Sequence, residues 1–372
     1  MKIKNLFNID WILFAAFSLL SLAGLSTMHS FSKESLFFER QIIWLLIAVG
    51  VFFLFSLIDW SFLRRSGVVI TIFLLSCFFL FLVFFLGSVI KGSERWISFG
   101  FFNFQPSDPA KIALIILLAK YFSRRHVEIA HFKHIIVSGA YAFLLFILIF
   151  LQPNLSSSII IFIIWFGMVM VSGISRKHVL FVLAAVSISF AFLWLGVLED
   201  YQKQRIETFI HPLADTRGAG YNALQSVIAV GSGQWFGKGI GFGTQSRLRF
   251  LPEYQTDFIF AAFAEEWGFV GTMLLILLFG VVVFRVVKNA LYGSTNFEIL
   301  FGVGVAIWLI THFMIHVGMN IGLLPVTGIT FPFLSYGGSH LLTEAAALGI
   351  LMGMRKYNRT FHKGEKEERL LV

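Results

Sequence analysis

Apolar runs of about 17–25 residues recur along this 372-residue chain from one end to the other, each long enough to cross a hydrocarbon core as a helix. A water-soluble fold has no way to bury so many. With 58% hydrophobic and 13% charged residues, the composition agrees with an all-α polytopic membrane protein. Ten spans are predicted, at roughly 10–28, 41–58, 67–89, 108–122, 134–152, 156–173, 177–197, 257–288, 297–320 and 340–355. The first follows two lysines as a signal peptide would, yet it lacks a small-x-small cleavage site and is read as an uncleaved helix. One transmembrane domain over 1–372 is expected, with a large loop at 198–256 and a charged, disordered tail at 357–372.

The net charge of +9 does not call for nucleic acid. Arg64/Arg65, Lys120/Arg124, Arg176/Lys177 and Arg285/Lys288 all fall at span ends on one side, as the positive-inside rule requires of a cytoplasmic face. Both termini are then expected inside and the large loop outside. The single cysteine, Cys77, permits neither an internal disulfide nor a cysteine metal cluster.

Ionisable residues within spans are the first functional candidates, because lipid makes them costly. The fourth span opens with Gln105-Pro106-Ser107-Asp108-Pro109, where Asp108 is expected to cap the helix and Pro109 to sit in its first turn. Lys111 gains nothing from the helix dipole there. It either binds an anion or pairs with a carboxylate, in preference to snorkelling to the interface. Glu265 and Glu266 lie inside the eighth span, one of them a possible partner for Lys111 or an arginine. His312, His316 and Asn320 recur every four residues on one face. With no third metal ligand evident, they read as a hydrogen-bonded seam towards the bundle interior. Gln152-Pro153-Asn154-Leu155-Ser156 breaks the fifth span from the sixth, and a tight turn with an Asn cap accounts for it as well as a site does.

The long loop contains an amphipathic stretch, Tyr221–Val230, that can lie on or re-enter the membrane. Glycines at 231, 233, 237, 239, 241 and 243 follow, without the spacing of a phosphate-binding loop. Next comes Arg247-Leu248-Arg249-Phe250-Leu251-Pro252-Glu253-Tyr254-Gln255-Thr256-Asp257, which delivers the Asp257 carboxylate to the mouth of the eighth span beneath a group of cations. A second structured loop, Gly322–Ser339, rich in proline and glycine, is expected to pack against the site.

Arg247–Gly268 and Asn320–Ser339 resemble the signatures of the SEDS family (shape, elongation, division and sporulation), and the resemblance covers essentially the whole chain. Gly243–Leu248, Ala264-Glu265-Glu266 and the short tails look more like its elongation members than its division members. The resemblance implies a peptidoglycan glycosyltransferase that polymerises lipid II outside the membrane, with a class B penicillin-binding protein and other elongation-complex membrane proteins as partners. It puts the essential aspartate on Asp257 and other polar positions on Glu94, Arg95, Gln105, Asp108 and Lys111. Asn154 stands where the family usually has aspartate, and Gln255 where it usually has histidine. Asp257 is expected to act as general base. Arg95, Lys111, Lys238, Arg247 and Arg249 are expected to stabilise the leaving lipid pyrophosphate, directly or with a divalent cation (magnesium or manganese). Asn154, Glu253, Ser335 and Tyr336 complete the expected substrate site. The main rival reading is a lipid II flippase or other transporter, which would need polar residues through the full depth of the bundle.

Overall fold

The computed structural model describes residues 9–30, 36–90, 93–100, 102–124, 132–196, 198–211, 218–248 and 250–369, with side chains left aside at 88–90, 93–94, 176, 190, 200–201, 219 and 357–369. Its helices are α1 (Trp11–Ser30), α2 (Leu36–Leu57), α3 (Ser66–Leu86), α4 (Ser107–Ser123), α5 (Phe132–Phe150), α6 (Leu155–Val171) and α7 (Arg176–Gly196). After the long loop, which carries α8 (Asp200–Ile210), α9 (Ala219–Ser232) and the single turn α10 (Thr244–Arg247), come α11 (Ile259–Leu291), α12 (Asn296–Asn320) and α13 (Gly338–Arg369).

Seven of these helices are long and apolar enough to cross a membrane. The shorter α4 and α6 and the first part of α13 occupy the other three predicted spans. All ten predicted spans are helices, with ends displaced by a few residues except at α13. There the charged tail continues the helix to Arg369 instead of being disordered.

Between α3 and α4 the chain folds into three short antiparallel strands, β1 (Ser88–Ile90), β2 (Ser93–Ser98) and β3 (Asn103–Phe104). Phe99 N donates to Phe102 O at 2.8 Å and closes the β2–β3 turn. This small sheet was not expected from the sequence, where the segment reads only as a link between two spans.

Helices α2 and α13 pack together, as do α11 with α1 and α12, and α12 with α4 and α6. The buried side chains of Ile112–Ala119 on α4, Leu300–Leu309 on α12 and Ala345–Met354 on α13 are all apolar. Buried charge gathers at the two ends of these helices. At the end away from the site, the Asp10 carboxylate accepts from Arg285 Nε (2.8 Å) and Asn289 Nδ2 (2.7 Å), and Arg355 lies 3.5 Å away. Arg64 pairs with Glu298 nearby.

Removing Asp10 leaves Arg285 and Arg355 facing each other without their carboxylate. Asp10→Ala is therefore expected to cost about 3 kcal/mol, the lower end for breaking a buried ion pair. Thermal unfolding in detergent checks this, with Asp59→Ala at an exposed cap as the milder control.

Candidate functional site

Asp257 sits on a turn whose geometry is set one step upstream. Glu253 adopts a left-handed backbone (φ 50). Its carbonyl accepts from Thr256 N, Asp257 N and Phe258 N at 3.0, 3.1 and 3.3 Å. Phe258 then caps α11, so the carboxylate is presented one residue before the helix cap.

Asn320, fully buried at the end of α12, clasps this turn from below. Its Nδ2 donates to Asp257 O (3.0 Å) and His316 O (2.8 Å), while its Oδ1 accepts from Ala261 N (3.2 Å) and Ser226 Oγ (3.3 Å). From the other side comes the 321–337 loop. Ser335 Oγ donates to Thr256 O (2.9 Å) and accepts from Phe331 N (2.8 Å), and Tyr336 N donates to Gln255 O (2.8 Å). Gly328 holds φ +71 beside the carboxylate, and a Cβ there would lie 3.3 Å from Asp257 Oδ2.

Asp257 faces a cavity of about 330 Å³. Arg40 and Trp44 of α2 form one wall, and Arg95, Asn103 and Gln105 of the small sheet and its exit form another. Asn154, Ser156 and Ser157 at the start of α6, with His312, Tyr336 and His340, close the rest. Glu253, Thr256 and Asp108 also line it. Burial pushes the Tyr336 phenol up, against the pull of the Arg40 guanidinium, so the ring enters the site as a neutral hydroxyl.

Beneath the cavity lies a buried polar bed. Lys111 Nζ donates to Asp108 Oδ1 at 2.9 Å, with both residues almost wholly buried. Lys111 is thus the carboxylate-paired lysine the sequence favoured, and its partner is Asp108, not either glutamate of α11. Asp108 does not cap α4; the cap position is Pro106, and the carboxylate is spent on Lys111. On the far side of Asp108, His340 Nδ1 is 3.8 Å from Oδ1, and His340 Nε2 is 2.8 Å from Glu344 Oε1, without hydrogen-bond alignment. Glu344 Oε2 accepts from Phe333 N at 2.9 Å. The His312 and His340 rings stack with centroids 4.8 Å apart. His312 Nδ1 and His316 Nδ1 meet the carbonyls of Thr330 (3.3 Å) and Ile329 (2.7 Å), which is the predicted interior seam. Among the described residues, no group of three or more His, Cys, Asp or Glu is placed to hold a metal ion by itself.

Of the predicted site residues, the cavity brings together Arg95, Gln105, Asp108, Asn154, Glu253, Asp257 and Tyr336. Asn154 also caps α6, its Oδ1 accepting from Ser157 N (3.2 Å), while its Nδ2 is buried with no hydrogen-bond partner among the described residues. Lys111 supports the floor from below. Ser335 is buried behind the wall and holds the two loops together. Lys238 is elsewhere, bonded to Glu265 at 2.7 Å, and Arg247 is exposed on α10. The Glu94 side chain and all of Arg249 lie outside the described residues. Sequence reasoning passed over Arg40, Asn103, Thr256, His340 and Glu344. The last two carried a usable signal, a histidine and a glutamate four apart at the mouth of an apolar run.

Residues 4–360 match the family model FTSW_RODA_SPOVE, described as cell cycle protein. The chain is 34% identical over 370 residues to FtsW of Haemophilus influenzae, covering 96% of this chain and 92% of the relative. It is 36% identical over 277 residues to the peptidoglycan glycosyltransferase MrdB of Escherichia coli K12, covering 74% and 75%. Among solved structures, it superposes with a TM-score of 0.81 and 26% identity on a chain of a peptidoglycan synthase complex that coordinates polymerization and crosslinking, covering 94% of this chain and 98% of that one.

The Asn320 clasp makes a direct prediction. Asn320→Ala strands the Asp257 carbonyl and the Ala261 amide, at about 1–3 kcal/mol per orphaned buried group. A fall in thermal stability of roughly 2–3 kcal/mol is expected in detergent, and an unchanged melting curve would show the clasp to be incidental.

Proposed function

This chain belongs to the FtsW, RodA and SpoVE family of cell cycle proteins, and from that premise we propose that it polymerises lipid II, with Asp257 as the general base. It is a multi-pass membrane peptidoglycan glycosyltransferase. The reading of its mechanism is carried by one observation: Asp257 lies on the wall of a cavity also lined by Arg40 and Arg95, on a turn whose Thr256 and Asp257 carbonyls are held from opposite sides by Ser335 and Asn320. The backbone clasp fixes the turn that carries the carboxylate, and general-base catalysis depends on such positioning.

In this reaction the acceptor sugar hydroxyl gives its proton to an Asp257 oxygen as the oxygen attacks the donor sugar's anomeric carbon. The bond from that carbon to the pyrophosphate breaks, and its electrons leave with the lipid pyrophosphate. Direct displacement of this kind inverts the anomeric centre. Arg40 and Arg95 are the guanidiniums that line the cavity and would take the growing negative charge, by paired N–H donation to phosphate oxygens. The Glu253 carboxylate suits a magnesium or manganese ion that is completed by substrate oxygens, in the usual manner of magnesium sites. Such an ion would add charge neutralisation at the pyrophosphate. The Lys111–Asp108 pair and the His340–Glu344 pair would keep the floor rigid.

The flippase reading fits less well. A translocation path needs polar groups through the bundle, whereas apolar layers on α4, α12 and α13 separate the cavity from the ionic cluster at the other end. The basic residues at span ends support cytoplasmic termini and an outward-facing cavity. A class B penicillin-binding protein is the partner to expect, in keeping with the crosslinking complex that the chain resembles, and elongation-complex membrane proteins would accompany it. The motifs at Gly243–Leu248 and Ala264–Glu266 favour an elongation role of the RodA type.

Purified protein supplied with lipid II, with and without its penicillin-binding partner, tests the reading. Asp257→Asn keeps the shape and removes the base. Glycan product should fall by about 10²–10⁴-fold, the usual worth of a general base, with an unchanged melting curve. Polymerisation retained by this variant would remove Asp257 from the role. Gly328→Ala puts a methyl against Asp257 Oδ2 at a φ that disfavours any side chain, so turnover should drop at least several-fold while the protein stays folded.

A further inference from the structure

The segment after α9 carries side chains that the cavity does not use and that water would not tolerate well. Trp235, Phe236, Ile240 and Phe242 are 66%, 84%, 53% and 66% exposed within eight successive positions. Their backbone is nevertheless firmly held. Helix α11 breaks at Gly268 (φ 68, ψ −168), and residues 234–239 dock into the break. Phe269 N donates to Gln234 O (2.8 Å) and Val270 N to Trp235 O (3.0 Å), while Lys238 N and Gly239 N donate to Glu265 O (3.0 Å) and Glu266 O (3.1 Å). A side chain at Gly237 would collide with the Glu266 carbonyl, and one at Gly268 with the Gly237 backbone.

The two buried glutamates lock the same element. Glu265 Oε1 accepts from Lys238 Nζ (2.7 Å), Thr244 Oγ1 (3.1 Å) and Gln245 N (3.0 Å), and Glu266 Oε1 accepts from Gly241 N (2.6 Å). The intramembrane carboxylates are therefore taken up in holding this loop. They are not a polar path.

Depth follows from the docking point. Gly268 is ten residues into α11 (Ile259 to Gly268), or about 15 Å at 1.5 Å per residue. The hydrocarbon core is about 30 Å thick. The exposed faces of Phe269, Val270 and Leu274 on α11 continue the apolar surface, and the Trp235 ring meets the Phe269 ring edge-on at 5.2 Å. We propose that residues 234–242 are a re-entrant wedge seated among the acyl chains of the leaflet at the cavity end. All backbone groups named above are satisfied by α11, which is the condition for irregular chain at that depth. Just beyond the wedge, Gln245 N is held by Glu265 (3.0 Å) and Gln245 O accepts from Leu251 N (3.0 Å), so the chain between the wedge and Asp257 is tied to the same helix. The membrane placement itself does not rest on the glycosyl-transfer reading.

The test is spin-label depth in vesicles of phosphatidylethanolamine and phosphatidylglycerol, with no partner chain present. Cys77, the only cysteine, is first changed to Ser. Nitroxides are then placed at Phe236→Cys and Phe242→Cys, with Gln204→Cys on exposed α8 as the water-side reference. The proposal expects the oxygen-to-nickel-chelate collision ratio at 236 and 242 to exceed the reference several-fold. A ratio equal to the reference would put the loop in water and overturn it. Low collision with both reagents would mean that protein, such as a second copy of this chain, covers the loop, and would overturn it equally. Neither result depends on whether the chain polymerises lipid II.

Discussion

The carboxamide of Asn320 is the interaction on which the site depends. It bonds α11, α12 and α9 at once, and one of its protons goes to the carbonyl of the catalytic candidate itself. Without water to satisfy backbone groups, a turn inside a bundle stays in place only where side chains supply the missing partners. Asn320 and Ser335 do so from opposite sides. The Asp257 backbone is thereby held by the scaffold, with the residue on the cavity wall.

The same constraint sorts charge through the molecule. Asp108, Lys111, His340 and Glu344 cluster under the cavity, and Asp10, Arg285 and Arg355 cluster at the opposite end. Between them the facing stretches of α4, α12 and α13 are apolar. Each cluster joins elements far apart in sequence, so pairing also fixes how the helices sit against one another. The result is a polar site at one end of a bundle whose α4, α12 and α13 are apolar below it.

Much of this was legible in the chain. Hydrophobic length alone located the ten spans, because a membrane demands a nearly fixed helix length. The cost of a buried ammonium pointed to a partner for Lys111, and the four-residue recurrence of His312, His316 and Asn320 pointed inward. What stayed hidden was pairing across long separations. Nothing in the glycine-rich loop announced that Lys238 would close on Glu265, so Lys238 read as a substrate residue. Ser335 was expected in the substrate site, yet its hydroxyl is used within the protein. The strands at 88–104 are too short and too irregular for a period-two pattern to stand out.

The most direct measurement is a structure of this chain bound to a lipid-linked disaccharide pyrophosphate and an acceptor glycan. The account predicts the acceptor hydroxyl within about 2.6–3.2 Å of an Asp257 oxygen, the reach of a general base, and the pyrophosphate against Arg40 and Arg95. Sugars seated in the cavity with Asp257 turned away from every hydroxyl would contradict it.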